Sequence, residues 1–105
     1  MAERVPWFAS PAGLAGPLGY SHVVTIPSGP IVWTSGQVGM DADGNIADGW
    51  EAQTRLAFQN IDRALAAAQV GWPSVVKLSF FVVAVDELDV VRAVRDEFVA
   101  TDAPP

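Results

Sequence analysis

The run from Val75 to Val85 constrains the fold more than any other stretch of this chain. It is Val, Leu and Phe almost throughout, interrupted only by Lys77, Ser79 and Ala84. A strand with one wet face alternates apolar and polar residues. A near-continuous apolar run instead predicts a strand covered on both faces, central in a sheet or buried in an assembly. Helical patterns flank it. Ala57, Ile61, Ala64, Leu65 and Ala68 recur at helical spacing, and Leu56 and Phe58 broaden the stripe, predicting a helix over 49–70. Asp48 is its expected N-cap, with Glu51 three residues on as in a capping box. Val70-Gly71 with Pro73 just beyond ends it. After the apolar run, Asp86 is expected to cap a second helix with Leu88, Val91, Val94 and Phe98 as its stripe. Arg92, Arg95 and Asp96 lie elsewhere on that helix.

The front of the chain reads as extended. Val23-Val24-Thr25-Ile26 and Ile31-Val32-Trp33-Thr34 are β-rich and flank the turn Pro27-Ser28-Gly29-Pro30, which predicts a hairpin. Asp41-Ala42-Asp43-Gly44-Asn45 forms a second tight turn, with short strand ends at Val38 to Met40 and at Ile46. Residues 1–18, rich in Pro, Gly and Ala, read as an extended arm preceding a domain over 19–105. Burial of Trp7 and Phe8 would pin the arm; a loosely ordered leader is the alternative. The order β-β-α-β-α predicts an α+β fold, one mixed sheet carrying both helices on a single face.

At 105 residues the chain is one domain with a modest core. Half the residues are hydrophobic and 17% are charged, a globular composition slightly rich in apolar surface for a small monomer. The net charge is −6, and the six cations are scattered. Nucleic acid is therefore not an expected partner, since its binding needs clustered Lys and Arg. Nor is an anionic membrane surface. The absence of cysteine excludes disulfides, thiolate metal sites and a Cys nucleophile, and fits a reducing compartment. No secretory h-region or membrane-length apolar string is present.

Few residues carry obvious chemistry. Asp41, Asp43 and Asn45 resemble the start of a calcium loop, but that loop needs Gly at its sixth position and Glu at its twelfth. Here Gly44 is fourth and Ala52 twelfth, so a turn is expected. His22, the single histidine, is either a general base or a strand-edge residue hydrogen-bonded to its surroundings. Tyr20 is either a ligand hydrogen-bond donor or a core-rim residue with a satisfied tip. Ser35-Gly36 is either a place where a ligand approaches the backbone or a simple bulge. Arg92 and Arg95 either face one anion together or are solvated and paired with Asp89, Asp96 or Glu97.

In order and spacing, Gly19-Tyr20-Ser21-His22, Thr34-Ser35-Gly36-Gln37, Gln53-Thr54-Arg55, Asn60 and Val76-Lys77-Leu78 resemble the reactive intermediate deaminases, the RidA or YjgF family. The likeness runs from about Pro11 to Pro105 and is greatest to the branch reading Gly-Tyr-Ser-His, with Arg92 to Glu97 as Arg-Ala-Val-Arg-Asp-Glu. The resemblance implies a chorismate-mutase-like fold, a cytoplasmic homotrimer and ligand clefts between subunits. It implies hydrolysis of short-lived enamines or imines to a 2-keto acid and ammonia, without metal or cofactor. Tyr20, Ser35 and Gly36 are then the expected catalytic positions, and Arg92, Gln37 and His22 the expected substrate-binding ones. Arg92 stands where deaminating members commonly have Asn. The family's carboxylate-gripping arginine, last two strands and glutamate would follow Pro105. A C-terminal fragment, or a strand exchanged from a neighbouring subunit, is accordingly expected to complete the sheet. The alternative reading is a catalytically silent trimeric module that binds a small carboxylate or a protein. The endoribonuclease label also attached to the family conflicts with the acidic charge.

Overall fold

The computed structural model describes residues 7–17 and 19–105. Its elements are β1 (Trp7–Ala9), β2 (Val23–Thr25), α1 (Trp50–Ala67), a 3-10 turn at Trp72–Ser74, a second at Val85–Glu87, and α2 (Leu88–Phe98). The chain is α+β: a two-stranded antiparallel sheet and a packed pair of helices.

Both helices form where the apolar spacing places them. On α1, Phe58 and Leu65 are buried; on α2, Val91 and Val94 are. Phe58, Val94 and Val99 form the core, with Trp72, Leu78 and Phe98 packed around them. Aromatic rings dominate it. Phe58 stacks on Phe98 with centroids 5.3 Å apart and lies 5.8 Å from both Trp72 and Phe80. Trp72 is partly buried, and its indole N–H donates to Asp62 Oδ1 at 3.0 Å, so its polar edge is satisfied. Arg55 joins the helices across their exposed side, 2.7 Å from Glu97 and 3.7 Å from Glu51. The Glu97 hydrogen bond raises the Arg55 pKa above its ordinary value.

The helix ends differ from expectation. Gly49, at φ 88°, occupies the N-cap position, and no side chain caps α1, so the Asp48–Glu51 capping box does not form. The first-turn Gln53 N–H is satisfied by the Gly49 carbonyl instead. At the other end the helix stops three residues before Val70. Gln69 adopts the left-handed conformation (φ 61°), its N–H bonds the Ala66 carbonyl and the Val70 N–H bonds that of Leu65. This is a Schellman closure built without glycine. Asp86 lies inside the 3-10 turn leading to α2 rather than at its cap, which is Glu87.

The strands depart further. β2 pairs with β1, in the register Trp7↔Thr25, Phe8↔Val24, Ala9↔Val23, rather than with Ile31 to Thr34. Part of the expected arm thus belongs to the sheet. Residues 1–6, Leu18 and the Trp7 side chain, on which that expectation also rested, lie outside the described residues. Val75 to Val85, expected as a strand central in a sheet or buried in an assembly, forms no strand: 75–84 run without regular secondary structure and Val85 opens the second 3-10 turn. Among the described residues, 26–37 and 76–83 make no backbone hydrogen bond to another segment. The reason is physical: β-rich sequence makes a strand only when a neighbour accepts its N–H and C=O groups. Residues 80–83 still alternate. Phe80 (41% exposed) and Val82 (36%) turn towards the protein, while Phe81 (96%) and Val83 (98%) stand in solvent. The turn at Asp41 to Asn45 forms as expected, closed by a bridge between Met40 and Ile46. Among the described residues, no helix is long and apolar enough to cross a membrane.

Candidate functional site

Tyr20 lines a cleft of about 300 Å³ between β1, the turn that carries Tyr20, and the segment after α2. Phe8, Ser10, Ser21, Thr101 and Asp102 also contribute. The Gly19–His22 turn is held at three points. Gly19 (φ 79°) lies against Arg95: a Cβ there would sit 2.7 Å from Arg95 Cζ and nearer still to Nη2. The Ser21 hydroxyl donates to the Pro104 carbonyl at 2.6 Å. His22 Nε2 lies 2.6 Å from the Ala15 carbonyl; since a carbonyl only accepts, that nitrogen carries the proton. The His22 ring meets Tyr20 edge to face, with centroids 5.2 Å apart and planes at 82°. Tyr20 is 44% exposed.

The Ser35-Gly36-Gln37 corner faces a second pocket. Gly36 and Gln37 line about 520 Å³ together with Val38, Met40, Leu56, Asn60 and Arg63. Gln37 folds back so that its Nε2 donates to the Ser35 carbonyl at 3.3 Å. Asn60, from α1, fixes the loop beyond the corner: its Nδ2 donates to the carbonyls of Val38 (3.1 Å) and Met40 (2.9 Å). Arg63 orients that amide by donating to Asn60 Oδ1 at 2.8 Å. Gly39 is buried directly on α1, where a Cβ would lie 2.6 Å from Gln53 Cα. Beyond it, Asp41 accepts the N–H groups of Asn45 and Asp43, each at 2.9 Å. Those bonds, that from the Asn45 backbone first, hold the Asp41 carboxyl below its ordinary value of 3.8.

Of the residues singled out in the sequence, the structure brings Tyr20 and His22 into contact and gathers Gly36 and Gln37 at the other pocket, with Ser35 bonded to Gln37. Arg92 is exposed on α2 and lines neither cavity. Arg95 is the cation at the Tyr20 turn. Its side chain is 15% exposed, and its Nε donates to Asp96 Oδ1 at 2.9 Å. The sequence left it either facing an anion together with Arg92 or solvated and paired on the helix surface. The available signal was its place four residues after Val91 and beside Val94, at the margin of the apolar stripe. Gly39 was missed outright. Asn60 stood out as a family position, but its two-carbonyl grip did not.

Among the described residues these features sit within a small α+β domain, the Tyr20 cleft and the pocket at Gly36 each open to solvent and bordered by a short turn motif. The family model for Endoribonuclease L-PSP matches residues 13–105. RutC family protein YjgH of Escherichia coli (strain K12) is 32% identical over 87 residues, covering 82% of this chain. The chain therefore belongs to the RidA/YjgF family, the group that this description denotes. It spans 65% of the length of that relative. No solved structure matches it.

Proposed function

We propose that this chain acts as a RidA-type hydrolase of small reactive enamines and imines, releasing a 2-keto acid and ammonia. The observation that carries the reading is the presentation of Tyr20: a half-exposed phenol at a cleft, on a turn held at three points, in a member of the RidA/YjgF family. The chemistry asks little of a protein. The imine carbon is already electrophilic. Water adds to it as a proton reaches nitrogen, the carbinolamine collapses, the C–N bond breaks and ammonia departs. A fixed phenol that hydrogen-bonds the polarising C=N group lowers the barrier, because a donor in place need not reorganise as charge develops. The small Ser35-Gly36 corner and Gln37 leave room for substrate where a neighbouring subunit brings them to the phenol. Under this reading the protein is a cytoplasmic homotrimer of chorismate-mutase-like fold.

The unpaired extended segments support one further part of the reading. A β-strand from outside residues 1–105, from a C-terminal fragment or exchanged from another subunit, seats against 31–37 or 76–83 and completes the sheet. Both segments have open backbone groups, and Trp33, Phe81 and Val83 are 83%, 96% and 98% exposed. Intact and native mass spectrometry test this: a second peptide or a defined oligomer is expected, and a stable solitary chain overturns it.

One observation favours a second reading. Among the described residues the charged group lining the Tyr20 cleft is Asp102, an anion; Arg92 stands away from it, and Arg95, though seated against Gly19, is not among its lining residues. A carboxylate substrate needs a cation, which a partner must then supply. Without one, the protein is a silent module that binds small ligands or protein. Generating 2-iminopropionate with an amino acid oxidase and following its decay separates the two. Acceleration that falls on the order of 10²-fold in Tyr20→Phe is expected for the enzyme. No acceleration, together with saturable 2-keto acid binding, identifies the module.

A further inference from the structure

We infer that Arg95 is a positioning residue for Tyr20: its guanidinium, seated against Gly19, fixes the Gly19–His22 turn on α2 and so sets where the phenol stands. The inference rests on the reading of Tyr20 as the ligand-facing group. Three observations lead to it. First, Gly19 and Arg95 are so close that no side chain fits between them while the guanidinium keeps its place, a Cβ on Gly19 falling 2.7 Å from Arg95 Cζ. Second, Arg95 is not a solvated surface cation; its side chain is 15% exposed and Asp96 holds its Nε. Third, Ser21 and His22 spend their polar atoms on the backbone carbonyls of Pro104 and Ala15. Glycine thus supplies the seat for Arg95, Ser21 and His22 supply anchors, and Tyr20 lines the cleft. A turn with open ends needs anchors on more than one side to hold an aromatic side chain in one place. Ser21 ties this turn to the segment after α2, His22 ties it to the preceding loop, and Arg95 ties it to the helix itself.

The reach from helix to turn also explains a choice the sequence leaves unexplained. Gly19 has positive φ, which by itself would accept Asn or Asp at modest cost. The Arg95 contact adds a second demand, since a Cβ at 19 would push the guanidinium, the movable end of a long side chain, off its seat on the turn. The two demands separate experimentally. If φ alone requires glycine, Gly19→Ala and Arg95→Ala act independently. If the contact requires it, they act on one interaction and fail to add.

Tyr20 is the single tyrosine of the chain, so incorporation of 3-fluorotyrosine gives one ¹⁹F resonance that reports it alone. In Arg95→Ala that line is expected to move or broaden, and the Tyr20–His22 ring–ring NOE to be lost. The methyl signals of Val94 and Val99 are expected to stay in place. Gly19→Ala should produce the same change, and the double variant nothing beyond it. Arg95→Lys keeps the stem and the charge but not the planar head, and it is expected to fail as a rescue. If Arg95→Ala disturbs the core signals, Arg95→Lys carries the same comparison. An unmoved Tyr20 line and a retained NOE in the folded Arg95 variant overturn the inference, as does strict additivity of the two substitutions. This outcome is independent of catalysis. Undiminished imine hydrolysis in Tyr20→Phe would sink the functional reading while leaving the Arg95 contact standing, and the reverse result would do the opposite.

Discussion

The helical pair and the extended segments are both rich in Val, Leu and Phe, yet only the pair buries them. Phe58 and Val94 are 3% and 1% exposed, whereas Phe81 and Val83, which lie between them in the chain, are 96% and 98% exposed. The difference lies in the backbone. A helix closes its own hydrogen bonds and needs one neighbour for one stripe, which α1 and α2 provide for each other. An extended segment needs neighbours along both edges for its N–H and C=O groups, and cover on each apolar face. Residues 76–83 have cover on one face, through Leu78 and Phe80, and no pairing along the edges among the described residues. The same hydrophobic content therefore produces a core in one region and an adhesive surface in the other.

That contrast breaks first if the helical core is not the seat of stability. Phe58→Ala removes the ring at the centre of the aromatic cluster and is expected to cost about 3–5 kcal/mol, measured by denaturant titration. A loss under about 1 kcal/mol would mean that stability resides elsewhere. Gly39→Ala comes next. The new methyl meets the backbone of Gln53 rather than a flexible side chain, and a loss of about 1–3 kcal/mol is expected in the same measurement.

A smaller effect comes from Asp41. Its folded pKa is depressed, so its contribution is present above the ordinary carboxylate value and lost as pH falls through the depressed one. Melting temperatures of the parent and Asp41→Asn are expected to differ at pH 7 and to converge at acid pH. A gap that widens on acidification would refute the assigned cause. The smallest effect sharpens the comparison most. Phe81→Ser is expected to change the stability of dilute single chains by less than about 0.5 kcal/mol, because the ring is already in water. Sedimentation at higher concentration should nonetheless show weakened self-association or partner binding. Unchanged association would remove 81 from any paired strand.

The helices were legible because their signal is local. A stripe at helical spacing reads the same whatever lies beyond it, and Phe58, Leu65, Val91 and Val94 are buried as the spacing requires. The Asp41 turn was legible for the same reason, since an Asp side chain that bonds the N–H groups two and four residues on needs nothing from afar. Strand pairing was not. Val23 to Ile26 and Ile31 to Thr34 carry a hairpin pattern, but whether β2 takes Trp7–Ala9 or Ile31 to Thr34 depends on where the intervening Pro/Gly-rich chain returns. The cap at Gly49 escaped because Asp48 fits the usual chemistry better, and only the φ of the glycine shows which residue turns the corner. At the site, the motif residues could be named but not assigned. Which of Arg92 and Arg95 reaches Gly19 is set by the rotation of α2 on its core, a tertiary fact.

Two glycines near the second pocket set the terms for anyone wishing to reshape it. Gly36 has open space on every side that a methyl would occupy, whereas Gly39 is wedged on the helix. Enlarging position 36 narrows the mouth and leaves the scaffold untouched. Enlarging position 39 drags the Val38 and Met40 carbonyls away from Asn60. Libraries aimed at altered ligand preference therefore belong at 36 and its immediate neighbours, with 39 kept invariant.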